Sequence, residues 1–142
     1  MNTVFGNLIV FDSFAQAFAE DAHACEVLSP VYDTPAFDTL VPSWNTTTPA
    51  GTSAEIFVSV RHAESGAWST WHSFGVWGAT LARRSGSSSD EIASVDTDTL
   101  SVKGEANGVR LRAVLRRGTL DAVPVLRRVY ATIRSARQPV AP

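Results

Sequence analysis

Strict alternation of apolar and polar residues is the feature of this sequence that most limits its fold. In AEIFVSVRH, residues 54–62, the apolar residues Ile56, Val58 and Val60 occupy every second position. The stretch VRLRAVLRR, residues 109–117, alternates in the same way, with arginine between the apolar residues. A repeat of two residues over five or more positions is typical of strands with one buried face. Both stretches therefore predict half-buried β-strands.

A third alternating stretch lies near the C-terminal end, and Arg127 is its one polar interruption. Its apolar residues share one parity: Val123, Val125, Val129, Ala131 and Ile133. Turn-forming residues separate the alternating stretches at intervals of about ten residues, as in all-β sandwiches and barrels. We therefore expect an all-β fold, an antiparallel β-sandwich of jelly-roll-like type, formed by a single domain over residues 1–142.

Three regions depart from this pattern. Residues 11–24 place Phe11, Phe14 and Phe18 near helical spacing, which indicates one short helix, although NLIVF just before them reads equally as a first strand. We therefore treat residues 1–27 as an N-terminal strand or helix segment. Residues 83–91, rich in serine and glycine, predict a loop. Residues 134–142 read as a tail or the start of a linker.

Charge is distributed unevenly along the chain. Residues 1–60 contain seven acidic residues and no lysine or arginine, whereas all twelve basic residues, eleven of them arginine, lie between Arg61 and Arg137. A basic half can indicate nucleic-acid binding. Here the arginines mostly alternate with apolar residues, as outward positions of strands do. We expect the two halves to attract each other within one fold, and we expect no nucleic-acid partner.

The sequence offers little evidence about the compartment. We expect no membrane insertion, because no apolar run is as long as a membrane-spanning helix. We expect no signal peptide, since no basic segment precedes the first apolar stretch. The single cysteine, Cys25, cannot form a disulfide within the chain.

Cys25 is also a candidate nucleophile. A cysteine followed by His62 or His72, and then by Asp96 or Asp98, has residue types that acyl transfer requires. This order arises readily by chance in a chain with three histidines. A small cysteine hydrolase is therefore an alternative interpretation, beside that of a half-buried structural thiol.

Asp96 and Asp98 form a second candidate pair. In SVDTDTL, residues 94–100, the two carboxylates lie on one side of an extended segment, where they are weak candidates for binding calcium. They can equally satisfy backbone groups at the beginning of a strand. We favour the second interpretation, and we predict no metal and no cofactor.

The four tryptophans all lie within residues 42–77. If residues 68–74 form a strand, Trp68 shares a face with His72, and Trp71 takes the opposite face. Only one of the two tryptophans can then point into the core. Arg61, Arg110 and Arg112 could cover the outer one by cation–π stacking. The candidate ligand-binding residues are Trp68, Trp71, Arg61 and His72, whereas Trp44 and Trp77 fit the edges of the sandwich better.

The order of several short motifs resembles a known family. SWNTTTPAGT at 43–52, WSTWHSFGVWG at 68–78, SVDTDTL and an arginine-rich closing region are similar to a β-rich N-terminal region of bacterial peptidase C39-like proteins. The resemblance covers residues 28 to about 133. It implies a β-sandwich accessory region placed before a papain-like cysteine peptidase domain, which is then an expected downstream partner in an extracellular or cell-envelope location.

The resemblance gives this chain no catalytic residue. The peptidase domain of the family carries a glutamine a few residues before its nucleophilic cysteine, whereas Gln16 stands nine residues before Cys25. Cys25 also precedes the accessory pattern instead of following it. Our leading hypothesis is therefore a non-catalytic accessory module that binds a cell-surface polymer, with a polysaccharide or peptidoglycan as the ligand. The alternatives are the cysteine hydrolase and a structural protein-interaction domain.

Overall fold

The computed structural model describes residues 3–14, 16, 18–19, 21–78, 86–119 and 121–135, and their fold is entirely β. The strands all pair antiparallel, which confirms the predicted antiparallel all-β class. The strands are β1 (Thr3–Phe5), β2 (Leu8–Phe11), β3 (Ala24–Leu28), β4 (Tyr32–Thr47), β5 (Thr52–His62), β6 (His72–Trp77), β7 (Gly86–Ser89), β8 (Ala93–Thr97), β9 (Thr99–Arg117) and β10 (Val125–Arg134).

The long strand β9 is the centre of the pairing. Its first residues, Thr99 to Val102, pair with β8, and its later part pairs with β5 from Ala106 to Arg117. The other edge of β9 pairs with β4 and then with β3. Gly104, at φ +102°, lies between the β8-paired and β5-paired parts, in a backbone conformation that other residues rarely adopt. One strand thereby holds four others in register.

The sheet is continuous and curls upon itself. Its main path runs β1-β2-β10-β4-β9-β5-β6, because β4 pairs with β9 through its first part and with β10 through its second. Trp44 of β4 and Trp77 of β6 are three strands apart on this path, about 14 Å on a flat sheet. Their ring centroids are only 5.3 Å apart. Opposite parts of one sheet therefore face each other, as in a sandwich.

The core follows the predicted alternation on β5 and β9. On β5, Ile56, Val58 and Val60 are completely buried, and on β9 the same is true of Val109 and Leu115. Side chains from β2, β4, β6, β8 and β10 complete a single cluster of buried residues. The outward positions of β5 and β9 carry four arginines, Arg61, Arg110, Arg112 and Arg116, which are described with the site below.

On β10 the predicted parity is wrong at its beginning. Val123 and Val125 are 43% and 38% exposed, and Leu126 is buried instead. The register of β10 against β4 shifts between Leu126 and Arg128. This bulge reverses the faces of the strand, since one inserted residue moves every side chain before it to the other side. The arginine that interrupts the pattern, Arg127, marks the position of the bulge.

The helix expected within residues 11–24 does not form in the described part of that segment; residues 15, 17 and 20 lie outside it. Phe11 ends β2, and its ring packs on Phe14 with centroids 4.8 Å apart. The side-chain amide of Gln16 donates to the carbonyl of Leu126 at 2.6 Å and accepts from its N–H at 2.8 Å. With these two bonds, the side chain of Gln16 takes the place of a strand residue opposite Leu126 of β10.

Two further predictions concern segments that lie partly outside the described residues. Residues 86–89 of the expected loop at 83–91 form β7, paired with β8, and residues 83–85 lie outside the described part. Of the expected tail, Arg134 ends β10, and residues 136–142 lie outside it as well. No helix among the described residues has the length and apolar character needed to cross a membrane.

Replacing Gln16 with methionine tests whether its two side-chain bonds to the backbone of Leu126 stabilise the fold. The variant Gln16→Met keeps most of the volume but leaves the N–H and the carbonyl of Leu126 without these partners. We expect the free energy of unfolding in urea to fall by about 2 kcal/mol, from two lost hydrogen bonds. The exposed Thr119→Met is the control and leaves stability unchanged. Equal stability of both variants would show that the Gln16 bonds contribute nothing.

Candidate functional site

The tryptophans form two separate groups. The first is an outward stack of Trp68, Arg110 and Trp71 with Arg61 beside it, which we call the Arg–Trp stack. The guanidinium carbon of Arg110 lies 4.6 Å from the ring centroid of Trp68 and 4.7 Å from that of Trp71. The guanidinium carbon of Arg61 lies 5.6 Å from the Trp68 ring. A guanidinium over an indole face is a favourable electrostatic contact.

Both tryptophans lie outward because the strand begins later than predicted. β6 starts at His72, and Trp68 makes only an isolated bridge with Arg61. Between them, Ser69 is bound to β5 through its backbone N–H to the Val60 carbonyl at 2.8 Å and through its hydroxyl, which accepts the Val60 N–H at 3.0 Å. The sequence allowed at most one of Trp68 and Trp71 in the core if residues 68–74 formed a strand. Residues 68–71 do not follow strand parity, and neither tryptophan is buried.

Arg61 is fixed by several contacts at the edge of the stack. Its Nε donates to the Asn107 side chain at 2.9 Å, and one Nη lies 2.9 Å from a carboxylate oxygen of Asp33. A Cβ atom on Gly108 would lie 2.8 Å from the Arg61 guanidinium carbon, so glycine leaves the space that this group occupies. Arg112 does not join the stack, because it lies over Phe57.

Ion pairs join the two halves of the chain, as the charge distribution predicts. Among the described residues, such pairs are Arg61 with Asp33, Arg112 with Glu26, and Arg116 with Glu55, at 2.9, 2.8 and 2.9 Å. Each acid comes from residues 1–60 and each arginine from the later part. These pairs hold β3, β4 and β5 to β9 or to one another.

His72 lies apart from the tryptophans, in the interior. Its side chain is 1% exposed, its Nδ1 lies 2.6 Å from the Ser88 hydroxyl, and its Nε2 lies 3.4 Å from an oxygen of Asp90. The Asp90 carboxylate accepts the backbone N–H groups of Thr70, Ile92 and Ala93 at 2.8 to 2.9 Å. This network ties the segment before β6 to the β7–β8 hairpin.

The environment of Asp90 favours its charged form. Partial burial by itself acts to raise the pKa of the Asp90 carboxyl. The three backbone N–H groups and the neighbouring His72 outweigh that effect and hold its pKa well below the usual range. Asp90 is therefore ionised throughout the physiological pH range, and its charged carboxylate binds the backbone N–H groups of two separate segments.

The second group of tryptophans lines a groove. Trp44 and Trp77 meet edge to face, with their ring planes at 81°. They form part of an open groove of about 400 Å³ between β4, β6 and the β8–β9 turn, which we call the Trp44–Trp77 groove. Its lining residues are Pro42, Ser43, Trp44, Asn45, Thr46, Phe74, Trp77, Thr97 and Asp98. Both indoles are half-buried, so part of each ring faces the groove.

Trp44 and Trp77 were expected at the edges of the sandwich, and the groove that they line was not predicted from the sequence. The inward positions of β4 are Leu40, Pro42, Trp44 and Thr46, which become progressively more polar and more exposed. This gradient along one parity is the signal that could have found the groove. The partner that closes it, Trp77, lies three strands away on the sheet path, and only the curl of the sheet brings it close.

Asp96 and Asp98 are both exposed at the β8–β9 turn. Asp96 accepts from the hydroxyl of Thr97 at 3.3 Å, and Asp98 accepts from that of Thr99 at 3.0 Å. No three histidine, cysteine, aspartate or glutamate side chains in the described ranges are grouped as metal ligands. The pair therefore satisfies neighbouring hydroxyl groups, and Asp98 adds a carboxylate to the groove.

The candidate catalytic residues do not converge. Cys25 pairs with Leu115 of β9 and His62 with Ala106, nine residues along the same strand, which is about 30 Å. His72 is committed to Ser88 and Asp90. The structure therefore does not assemble Cys25 with His62 and Asp96 or Asp98.

Comparison with protein families gives one match. Residues 11–133 match the family described as Peptidase C39 N-terminal domain, which covers most of the chain and includes both groups of tryptophans. No curated protein and no solved structure matches the chain.

Replacing Asp90 with asparagine tests the buried network and its dependence on pH. An amide at this position loses the charge and turns an N–H donor toward one of the backbone donors. We expect the free energy of unfolding to fall by about 2 kcal/mol at pH 7. Because the pKa of Asp90 is lowered by folding, its contribution is complete above the unfolded value and is lost as the pH falls through the folded value.

The difference between wild type and Asp90→Asn should therefore shrink below about pH 4. Urea unfolding at pH 7 and at about pH 3 measures it, with the exposed Asp96→Asn as the control that changes little. If Asp90→Asn lowers the free energy of unfolding by the same amount at both pH values, the charge of Asp90 does not contribute to stability.

Proposed function

The chain belongs to the peptidase C39 N-terminal domain family, and on this premise we propose that it is a non-catalytic accessory module of a cysteine peptidase that binds a carbohydrate polymer at the cell surface. The proposed binding site is the Trp44–Trp77 groove. The enzyme activity belongs, in this proposal, to a peptidase domain that the module accompanies.

The separation of the reactive side chains supports a non-catalytic role. Cys25 is half-buried on β3, far along β9 from His62. The ring of His72 is held inside the domain by Ser88 and Asp90. The imidazole nearest to Cys25 in the sequence, His23, lies with its Nδ1 3.0 Å from the carbonyl of Arg117, so this ring nitrogen is engaged with the backbone of β9.

The single observation that carries the binding proposal is the pair of tryptophans at the groove. Two indoles meeting at 81° present an aromatic face and an edge side by side. Apolar C–H groups of sugar rings pack well on aromatic faces, whose electron density attracts them. The volume of about 400 Å³ is within the range of small-molecule sites, and the groove is open, as a polymer requires.

The Arg–Trp stack is less suited to sugars. Arg110 already covers a face of both Trp68 and Trp71, and Arg61 lies over Trp68 as well. A sugar ring would have to displace a guanidinium from an indole. At the groove, the rings of Trp44 and Trp77 meet edge to face and both line the wall, so the groove offers aromatic surface to a ligand.

The polar residues of the groove point to neutral sugars. Thr46 lies on the same face of β4 as Trp44, and Asp98 is exposed at the facing turn. A hydroxyl and a carboxylate can bond the hydroxyl groups of a sugar. The negative charge of Asp98, with that of Asp96 close by, disfavours an anionic polymer. We therefore expect a neutral glycan segment as the ligand.

Removing the aromatic surface tests the proposal. We expect Trp44→Leu to weaken binding to the best ligand of a panel of soluble neutral polysaccharides and purified cell-wall glycan by about tenfold or more. Asp98→Asn, a change at an exposed side chain, should weaken binding by a smaller factor. Affinity electrophoresis or calorimetry measures both, after circular dichroism has shown that the variants fold.

Trp71→Leu is the matched control, since it removes a tryptophan from the Arg–Trp stack and leaves the groove intact. It should bind the panel as wild type does. The proposal fails if wild type binds no member of the panel, or if Trp71→Leu loses affinity while Trp44→Leu keeps it.

A further inference from the structure

The outer face of β5 and β9 is built from arginines, and all but one of them have carboxylate partners. Four arginines lie there: Arg61, Arg110, Arg112 and Arg116. Three are paired with acids at 2.8 to 2.9 Å, in the ion pairs described above. Within the part of the chain that the structure describes, Arg110 has no carboxylate and no hydrogen bond. The face therefore has one more positive charge than negative charges.

Arg110 is nevertheless held in place. Its guanidinium packs on the indoles of both Trp68 and Trp71, with both centroids less than 5 Å from its central carbon. Its Nε is buried and makes no hydrogen bond in the described structure. Arg110 as a whole is half-buried, so part of the side chain other than Nε reaches the solvent. Two indoles pack on the guanidinium, and the exposed part of the side chain is where a ligand can approach.

A guanidinium held in this way is preorganised to bind an anion. Arginine presents two parallel N–H groups that match the two oxygens of a carboxylate, and a charge-assisted pair of this kind is stronger than a neutral hydrogen bond. Holding the side chain beforehand reduces the entropy lost on binding. Burial of Nε without a hydrogen-bond partner costs free energy, and a negative charge bound next to the guanidinium offsets that cost.

We propose that the Arg–Trp stack is a binding site for a carboxylate on a peptide, in which Arg110 pairs with an aspartate or glutamate side chain of the partner. A flexible acidic side chain can approach from the solvent side, so that its carboxylate meets the guanidinium while the guanidinium stays packed on the two indoles. A carboxylate would give Arg110 the same partner that Arg61, Arg112 and Arg116 have within the chain. This site lies on the outward face of the sheet, away from the Trp44–Trp77 groove.

Titration with a short, end-blocked peptide that has one central glutamate tests this site, with the same peptide carrying glutamine as its pair. Tryptophan fluorescence and the indole N–H signals in NMR spectra report binding. We expect the glutamate peptide to bind about tenfold tighter than the glutamine peptide, and its affinity to fall as salt is raised. Inorganic phosphate is titrated in parallel.

Three variants separate the proposal from a general effect of charge. Arg110→Met should abolish the preference for glutamate, and Arg110→Lys, which keeps the charge but lacks the fork, should weaken it severalfold. Arg112→Met is the matched control, because Arg112 also lies on an aromatic ring but has Glu26 as its partner. It should keep the preference. Trp44→Leu should keep it too, so that failure of the glycan proposal and failure of this one are distinguishable.

Equal affinity for the two peptides would overturn the proposal. So would a preference for glutamate that survives in folded Arg110→Met, or phosphate binding at Arg110 that is tighter than binding of the glutamate peptide. Since Arg110→Met removes contacts with two indoles, Arg110→Lys serves if the methionine variant does not fold.

Discussion

The pairing of β9 along both of its edges is the constraint on which the rest of this structure depends. Its backbone bonds fix the register of β3, β4, β5 and β8 at once. Once that register is fixed, the alternation of apolar and arginine residues on β9 decides what each face of the sheet can be. Leu111 and Leu115 enter the core, while Arg110 and Arg112 must be accommodated outside it.

The two groups of tryptophans have different structural roles in that arrangement. On the outward face, the arginines need partners in a partly desolvated layer, and Trp68 and Trp71 supply aromatic faces where acids are lacking. On the inner face, Trp44 and Trp77 meet edge to face and line the groove. The first group therefore packs on arginine, and the second is the one that we propose to contact a ligand.

Period-two patterns predict β5 and β9 from the sequence because their side chains report directly which face is buried. Such a pattern gives the wrong face where a strand contains a bulge. The bulge at Arg127 turns Val125 outward, and the local sequence looks the same as that of a regular strand with one polar residue at an inward position. Gln16 fails differently, since its strand-like bonds depend on Leu126, 110 residues away. Of the groove, only the wall on β4 has a signal in the sequence, in the change from buried to half-buried positions that ends at Trp44 and Thr46. Its other wall could not be predicted, because Trp44 and Trp77 meet only through the curl of the whole sheet.

The central claim is that the tryptophans divide into one pair committed to arginine and one pair that binds sugar. An NMR titration that follows the four indole N–H signals while a neutral oligosaccharide from the best-binding polysaccharide is added tests it most directly. The account predicts that the Trp44 and Trp77 signals shift together with one dissociation constant, while those of Trp68 and Trp71 stay in place. Shifts confined to Trp68 and Trp71 would contradict it.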